Sequence, residues 1–302
     1  MDLMELTNNT SIIKDGRHIL KVPRLFSVKS METAKISIDF LDNIDHFTRI
    51  NEKMLIDLSR LEFFHAPSAL LLFAYITNAQ ITTNRHDIIK VILPVNQAIR
   101  SLVRKSGLWD AIKYGTKRKL DRNWELGNNF QSGYDAEEHY DKTFKYLKKQ
   151  YSNFSKELGV AINEAMLNIN QHAYRYHPKG SVTRWWQYAY IKDDTLNFCI
   201  FDKGCGIPTS FKKLNFYKNN LDQEIIVNAM KKNTSTMNII GTEGRGRGSA
   251  NIIKPVSSVE KDKLLIISEQ GLYRYFHDKD IETSRLPLRL NGTLLCWQIK
   301  AK

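Results

Sequence analysis

The apolar and polar positions in the first half of the chain alternate between strand-like and helix-like patterns. Residues 54–80 predict a buried strand, a short turn and an apolar helix, and residues 88–94, IIKVILP, predict a further strand. A second apolar helix is predicted over residues 96–112, with the tetrapeptide Ser-Gly-Leu-Trp near its end. This succession of strand, helix, strand and helix predicts an α/β fold for the first half.

The second half also mixes the two patterns. A charged amphipathic segment at 135–154 predicts a helix, and apolar runs at 196–201 and 294–299 predict strands. We therefore predict the α/β class for the whole chain, with the second half an α+β sandwich in which helices cover a mixed sheet.

A polar stretch separates the halves. Residues 116–134 are charged and interrupted by glycines, which is typical of a linker. The predicted organisation is an N-terminal segment at 1–33, a first domain at 34–115, this linker, and a second domain at 135–302. A chain of 302 residues is long enough to give each domain its own core.

Three short boxes carry the candidate chemistry of the second half. The first is NEAMLNINQHAY at 163–174, where Glu164 and Asn168 fall on one face of a helix, one turn apart. A solvated surface helix would also carry two such residues. However, the surrounding residues are too apolar for full solvation, so a half-buried carboxylate and amide call for another explanation.

The second box, FDKGCGIP at 201–208, runs from an apolar strand into Asp-x-Gly-x-Gly. Gly204 and Gly206 would let a ligand lie against the backbone just after Asp202, although an ordinary exit from a strand into a turn carries the same letters.

The third box, GTEGRGRGSANIIK at 241–254, places glycines before an apolar stretch. A glycine turn that opens a helix offers free N–H groups to phosphates, whereas a flexible loop would have the same composition.

In this order the boxes resemble the ATP site of the Bergerat-fold ATPases, the superfamily of gyrase, the ninety-kilodalton heat-shock chaperones, mismatch-repair ATPases and histidine kinases. Asn291-Gly292-Thr293 precedes the last strand, as the Gly-Thr pair of that superfamily does. The resemblance covers roughly residues 136–302. The first box is most similar to that of the anti-sigma-factor serine kinases through Glu164, Ala165, Asn168, His172, Ala173 and Tyr174.

The resemblance implies a role for each matching position. Asn168 would be a Mg²⁺ ligand, Asp202 would contact the adenine of ATP, and Glu164 would be the general base. Gly204, Gly206 and Thr293 would complete the base pocket, with Ile207 also among the cofactor-binding residues. Residues 209–243 would form the lid over ATP. The triphosphate would be wrapped by Gly244, Arg245, Gly246, Arg247 and Gly248, although the two arginines could equally be solvated.

The first half resembles the STAS fold of anti-sigma-factor antagonists and sulfate-transporter tails. In that family the turn before a helix carries Asp-Ser-Ser-Gly with a phosphorylatable serine. This chain has His65-Ala66-Pro67-Ser68 there, with proline at the acceptor position. We therefore do not expect phosphorylation of this turn, and we predict that Ser68 is a helix N-cap.

The composition and the N-terminus argue against a membrane-spanning or secreted protein. The longest apolar run, at 69–76, is far shorter than the ~20 residues that span a bilayer. The N-terminus resembles no secretion signal, and the three cysteines suit a reducing compartment, so we expect a cytoplasmic protein without a membrane span. The formal net charge of +13, with lysine clusters such as 113–122 and 142–149, would attract nucleic acid or an acidic protein, unless the lysines only solvate helix faces.

Three functions remain open. The first is a protein kinase or an ATP-controlled switch that regulates a partner protein, as the anti-sigma kinases do. The second is an ATPase subunit of a multi-protein machine in genome defence or nucleic-acid processing, and the third is an ATP-binding scaffold that does not hydrolyse its nucleotide. A homodimer is compatible with each of them.

Overall fold

A computed structural model describes residues 12–151, 154–213, 217–231, 248–256 and 262–300. The chain divides into two compact units, residues 1–130 and 131–302. Both units combine helices with β-sheet, which confirms the predicted mixed α/β class.

The first unit is built on a four-stranded sheet of order β1-β2-β4-β6, with a separate pair formed by β3 and β5. Strands β2, β4 and β6 are parallel, and β1 pairs with β2 in the antiparallel sense. The strands are β1 (Ile13–Lys14), β2 (Arg17–Lys21), β3 (Leu25–Phe26), β4 (Met54–Asp57), β5 (Phe63–Phe64) and β6 (Ile89–Ile92). The helices are α1 (Met31–Arg49), α2 (Ala66–Thr82), α3 (Gln97–Lys105), α4 (Leu108–Ile112) and α5 (Lys117–Glu125).

The observed boundaries differ from the predicted ones. β2 lies in the sheet beside β4, so the first unit begins before residue 34. The predicted linker 116–134 contains α5, whose Leu120 is fully buried, and the buried Phe130 that ends the first unit. These apolar positions are too widely spaced among polar residues to mark an element by periodicity.

Two local predictions in the first unit are wrong. The segment 96–112, predicted as one helix, forms two helices, because Gly107 adopts a φ of +83° and interrupts the helix between α3 and α4. Ser68 is not an N-cap. α2 begins one turn earlier, after His65, with Pro67 in its first turn, so Ser68 is a buried helical residue. Proline suits this position because the first-turn N–H groups have no partner within the helix.

The second unit has a five-stranded sheet of order β10-β11-β9-β8-β7, in which β8, β9, β11 and β10 are successively antiparallel. The strands are β7 (Phe130–Gly133), β8 (Trp185–Lys192), β9 (Thr195–Asp202), β10 (Lys263–Phe276) and β11 (Ile281–Lys300). The helices are α6 (Ala136–Gln150), α7 (Lys156–Asn168), α8 (Ile207–Lys212), α9 (Asp222–Met230) and α10 (Gly248–Ile253), and a π-helical turn, Ile169–Ala173, continues α7.

One face of this sheet packs on the helices. Leu196, Phe198 and Ile200 alternate along β9 and belong to the same core as Ile162 of α7 and Ile226 of α9. Because side chains on a strand alternate between its faces, the next residue on this covered face is Asp202. A carboxylate therefore ends a strand whose preceding residues on that face are all apolar.

Among the helices of the described residues, none is long and apolar enough to cross a membrane. The three cysteines, Cys199, Cys205 and Cys296, are free thiols.

Candidate functional site

Asp202 lies buried at the end of β9, with 3% of its surface exposed. Its Oδ1 accepts a hydrogen bond of 2.8 Å from the N–H of Gly204. Burial raises the pKa of Asp202 to about 7, although hydrogen bonds from the backbone of Gly204 and Thr293 oppose the rise. Asp202 is therefore a buried hydrogen-bond acceptor whose ionisation is balanced near neutral pH.

The neighbouring strand approaches Asp202 closely. Thr293 of β11 stands opposite Asp202 in the antiparallel register. The preceding Gly292 has a φ of +113°, and a Cβ at this position would lie 1.9 Å from the Asp202 carbonyl oxygen. Only glycine fits there, so the Gly-Thr pair identified in the sequence is the point where β11 closes on the end of β9.

Ser268 fixes the loop that follows Asp202. Its Oγ accepts a hydrogen bond of 2.9 Å from the N–H of Ile207 and lies 3.1 Å from the Gly292 carbonyl and 3.0 Å from Thr293 Oγ1. Gly206, with a φ of +82°, passes so close that a Cβ there would lie 3.1 Å from this oxygen. One buried hydroxyl thus joins the loop to β11.

Glu269 fixes the start of α8. It lies at a bulge between β10 and β11 with a φ of +55°. Its buried Oε1 accepts a hydrogen bond of 2.8 Å from the N–H of Thr209 and is 3.5 Å from an Arg289 nitrogen. Side chains of β10 therefore hold the loop from Asp202 to Thr209 at the end where it enters α8.

The first box forms the end of α7 and its π-helical continuation. Glu164 and Asn168 are both half-buried and lie one turn apart, as predicted. The Ala173 carbonyl at the end of the π turn accepts a hydrogen bond of 2.7 Å from Cys205. A Cβ on Gly204 would lie 2.4 Å from the same carbonyl oxygen. The first and second boxes are therefore in direct backbone contact.

Tyr174 strengthens this contact. Its hydroxyl accepts a hydrogen bond of 3.1 Å from the N–H of Lys203 and donates one to the Arg184 carbonyl. Burial raises the pKa of Tyr174 well above its usual value, with a further contribution from the Asp202 charge, so the hydroxyl stays protonated as a donor. The last residue of the first box thus positions the residue after Asp202.

The third box is described only from Gly248 onward, where it opens α10. Asn251 Nδ2 donates a hydrogen bond of 3.1 Å to Glu164 Oε1, and the Ile252 carbonyl accepts one of 2.9 Å from Trp297 Nε1. The described part of this box is therefore in contact with the carboxylate of the first. Gly244, Arg245, Gly246 and Arg247 lie outside the described residues.

The predicted lid is described in part. Within 209–243, α9 packs into the core through Ile225 and Ile226, and Asp222 accepts a hydrogen bond of 2.5 Å from Lys212. These residues are a fixed part of the unit rather than a cover. Residues 214–216 and 232–243 lie outside the described residues.

Some residues of this arrangement were missed from the sequence. Ser268 and Glu269 interrupt an apolar strand, KLLIISEQG, and that break in an apolar run is the signal that would have found them. Asn251 carried no signal, because its contact with Glu164 exists only when α10 and α7 pack together.

The geometry brings together a buried acceptor, a hydroxyl and glycine backbone at one end of the sheet. From the helical layer on the covered face, α7 adds a half-buried carboxylate and amide. In the described residues, no three side chains of His, Cys, Asp or Glu cluster as a metal site. Comparison with protein-family models gives no match, and comparison with curated proteins gives no significant match.

Proposed function

We propose that the second unit binds Mg-ATP in the manner of the Bergerat-fold ATPases and transfers or hydrolyses its γ-phosphate to regulate a partner protein. The observation that carries the proposal is the connection of the three boxes. The first box contacts the second through Ala173 and Cys205 and the third through Glu164 and Asn251. Segments far apart in the sequence thus meet around one helix end, as a single composite site requires.

Asp202 is the proposed adenine contact. Its carboxylate is buried, and a buried acceptor is stabilised by a donor such as the exocyclic amino group of adenine. Gly204 donates a hydrogen bond to it and Thr293 lies opposite it, while Gly206 packs on Ser268 and Ile207 opens α8. We propose that these residues form the wall of the base pocket. Burial raises the pKa of Asp202, and a donor such as the adenine amino group would favour its ionised form.

Glu164 and Asn168 are the proposed phosphate-end residues. Asn168 has the carboxamide oxygen that Mg²⁺ accepts as a ligand, and the ion would neutralise phosphate charge when bound, keeping several of its waters. Glu164 would take a proton from the attacking hydroxyl or water, and the Asn251 hydrogen bond holds its carboxylate in place. The glycines and arginines of 244–247, with Gly248, would surround the triphosphate.

The first unit supports a regulatory protein more than an isolated ATPase. Its sheet contains the parallel strands β2, β4 and β6, and this arrangement supports the proposed STAS-like domain. Pro67 occupies the first turn of α2, where the acceptor serine of that family would stand. We therefore propose that control comes from the nucleotide state of the second unit, read by a cytoplasmic protein partner.

A second candidate function is favoured by the charge. The net charge of +13 suits an ATPase subunit that works beside nucleic acid. In that case ATP would be hydrolysed to free phosphate without a labelled protein.

The test follows γ-labelled Mg-ATP with the purified protein, alone and with cell extract, beside Glu164→Gln. Label on a protein, dependent on Glu164, establishes the kinase function. Label released as free phosphate establishes the ATPase function. If ATP binds but does not react, the remaining functions are a nucleotide switch or a scaffold. Failure to bind ATP contradicts the proposal.

A further inference from the structure

The first unit contains a cavity of about 670 Å³ between the end of α3, the helices α4 and α5, and the turn at 126–129. Asp110 supplies negative charge to its lining, and its carboxylate lies 2.6 Å from Lys113 Nζ. The lining also contains six basic residues, namely Arg104, Lys105, Lys113, Arg118, Lys119 and Arg122. The cavity therefore carries a large excess of positive charge.

A buried amide of α2 holds the lining residue Lys119 in place. Gln80 is fully buried, and its Nε2 lies within 3.4 Å of the Ile112 carbonyl and 3.3 Å of the Lys113 carbonyl. Its Oε1 accepts a hydrogen bond of 2.6 Å from Lys119 Nζ. Burial lowers the pKa of Lys119 to about 7, and the Lys113 charge adds to the effect. An anion in the cavity would offset both contributions.

The turn at 126–129 is held by a hydrogen bond to Gly107. Asn128 Nδ2 donates a hydrogen bond of 3.2 Å to the Gly107 carbonyl, and a Cβ at Gly107 would lie 2.5 Å from Asn128 Oδ1. The glycine of the Ser-Gly-Leu-Trp motif thus leaves room for Asn128 to pack against the backbone. Asn123 also lines the cavity, and its buried Nδ2 has no hydrogen-bond partner in the described part of the chain.

The charge in the first turn of α5 works against the helix. Lys117, Arg118 and Lys119 occupy its first turn, where the helix dipole disfavours cations, and the turn contains no acidic residue. Arg118 and Arg122 lie one turn apart on the same face, where like charges repel. A bound anion would offset both of these unfavourable interactions, which solvation of the lysines and arginines alone only screens.

We propose that this cavity binds a segment of single-stranded nucleic acid. The guanidinium groups of Arg118 and Arg122 can each donate bidentate hydrogen bonds to the oxygens of a phosphate. Tyr114 at the cavity is 65% exposed and offers a face on which an unpaired base can stack. A duplex hides its bases, and an acidic peptide has no use for the aromatic face. The proposal is independent of the nucleotide site in the second unit.

The test measures binding of a fluorescein-labelled oligothymidylate of about 12 nucleotides to the full-length protein by fluorescence anisotropy, across a salt series. The variant is Arg118→Gln/Arg122→Gln, with Tyr114→Ala as a second variant. The control is Lys35→Gln/Arg49→Gln, which removes two exposed cations from α1 and gives the same net charge. All of these side chains are exposed, and circular dichroism verifies that the variants fold.

We expect the arginine pair to weaken binding at least ~10-fold and to reduce the slope of log K against log salt by about 1.4, for two lost phosphate contacts. Tyr114→Ala should weaken binding while leaving that slope unchanged, and the control should stay within about 2-fold of wild type. Equal loss in the control, or no binding by wild type, would overturn the proposal. Two competitors test the specificity of the site. If polyglutamate displaces the labelled oligonucleotide as well as unlabelled oligonucleotide does, the proposal is wrong. The same holds if free ATP, at equal phosphate concentration, displaces it as well.

Discussion

Thr293 lies directly opposite Asp202 where β11 pairs with β9, and the preceding Gly292 is packed against the Asp202 carbonyl. The pair joins the last strand of the chain to the second box. Asp202 is buried at this junction, and burial raises its pKa although a backbone hydrogen bond from Thr293 opposes the rise. The consequences of this relationship can be measured, first for ligand binding and then for stability.

Asp202→Asn should weaken ATP binding about 10- to 100-fold, because the amide presents a donor where the adenine amino group needs an acceptor. Isothermal titration calorimetry measures the change. The control is Asp193→Asn, at the turn that joins β8 to β9 at the far end of the same strand, where φ is +49° and asparagine is well tolerated. Unchanged affinity in Asp202→Asn would contradict the assignment of Asp202.

ATP affinity should rise with pH through about 7, where Asp202 ionises. The ionised form is the better acceptor, so binding favours it and releases a proton. Below the pKa of Asp202 the affinity should fall up to about tenfold per pH unit. Titrations in two buffers of different ionisation enthalpy detect the released proton. An affinity that is flat across this range, with no proton released, would argue that Asp202 does not face the ligand.

The same carboxyl should make stability depend on pH. Its pKa of about 7 in the folded protein lies above the value of 3.8 for an unperturbed carboxyl. Its contribution to stability is therefore fully present below the unfolded pKa and is lost as pH rises through the folded pKa. The free energy of unfolding of wild type, measured in urea, should fall relative to that of Asp202→Asn as pH rises from 3.8 to about 7. Parallel stability curves would contradict the raised pKa.

Glu164→Gln should bind ATP normally but lose γ-phosphate chemistry. Glutamine keeps an Oε1 that can accept the Asn251 hydrogen bond, so the contact between α7 and α10 remains while the base is removed. Loss of a general base lowers turnover by about 10²- to 10⁴-fold. Glu157→Gln, exposed in the first turn of the same helix, is the control and should retain activity. Normal turnover by Glu164→Gln would exclude Glu164 as the base.

Gly292→Ala should destabilise the second unit by about 3 kcal/mol or more, because the new Cβ would collide with backbone and the positive φ disfavours alanine. Gly180→Ala separates these two causes. It has a φ of +88° but open space around its Cβ position, so it should lose only about 1 kcal/mol. Urea unfolding followed by tryptophan fluorescence gives both values. Equal losses would show that the contact with Asp202 does not restrict residue 292.

Much of the local structure followed from the sequence. The apolar run at 196–201 predicted β9 and the amphipathic pattern of 135–154 predicted α6, because both patterns are local properties of the chain. The spacing of Glu164 and Asn168 likewise set their common helix face. The break at Gly107 was missed because an isolated glycine is also tolerated within a helix.

The contacts between the elements of the candidate site were determined by the tertiary structure. The resemblance implied that Glu164, Asp202 and Thr293 belong to one site, but it gave none of the contacts that connect them. Packing of α10 on α7 provides the Asn251 contact, and pairing of β10 with β11 provides the hydrogen bond between Ser268 and Thr293. Burial at the end of β9 raises the pKa of Asp202. A periodic pattern reports which face of an element is apolar, but it carries no information about which distant element covers that face. The sequence therefore determined the elements and their candidate residues, and only the fold decided which of them meet.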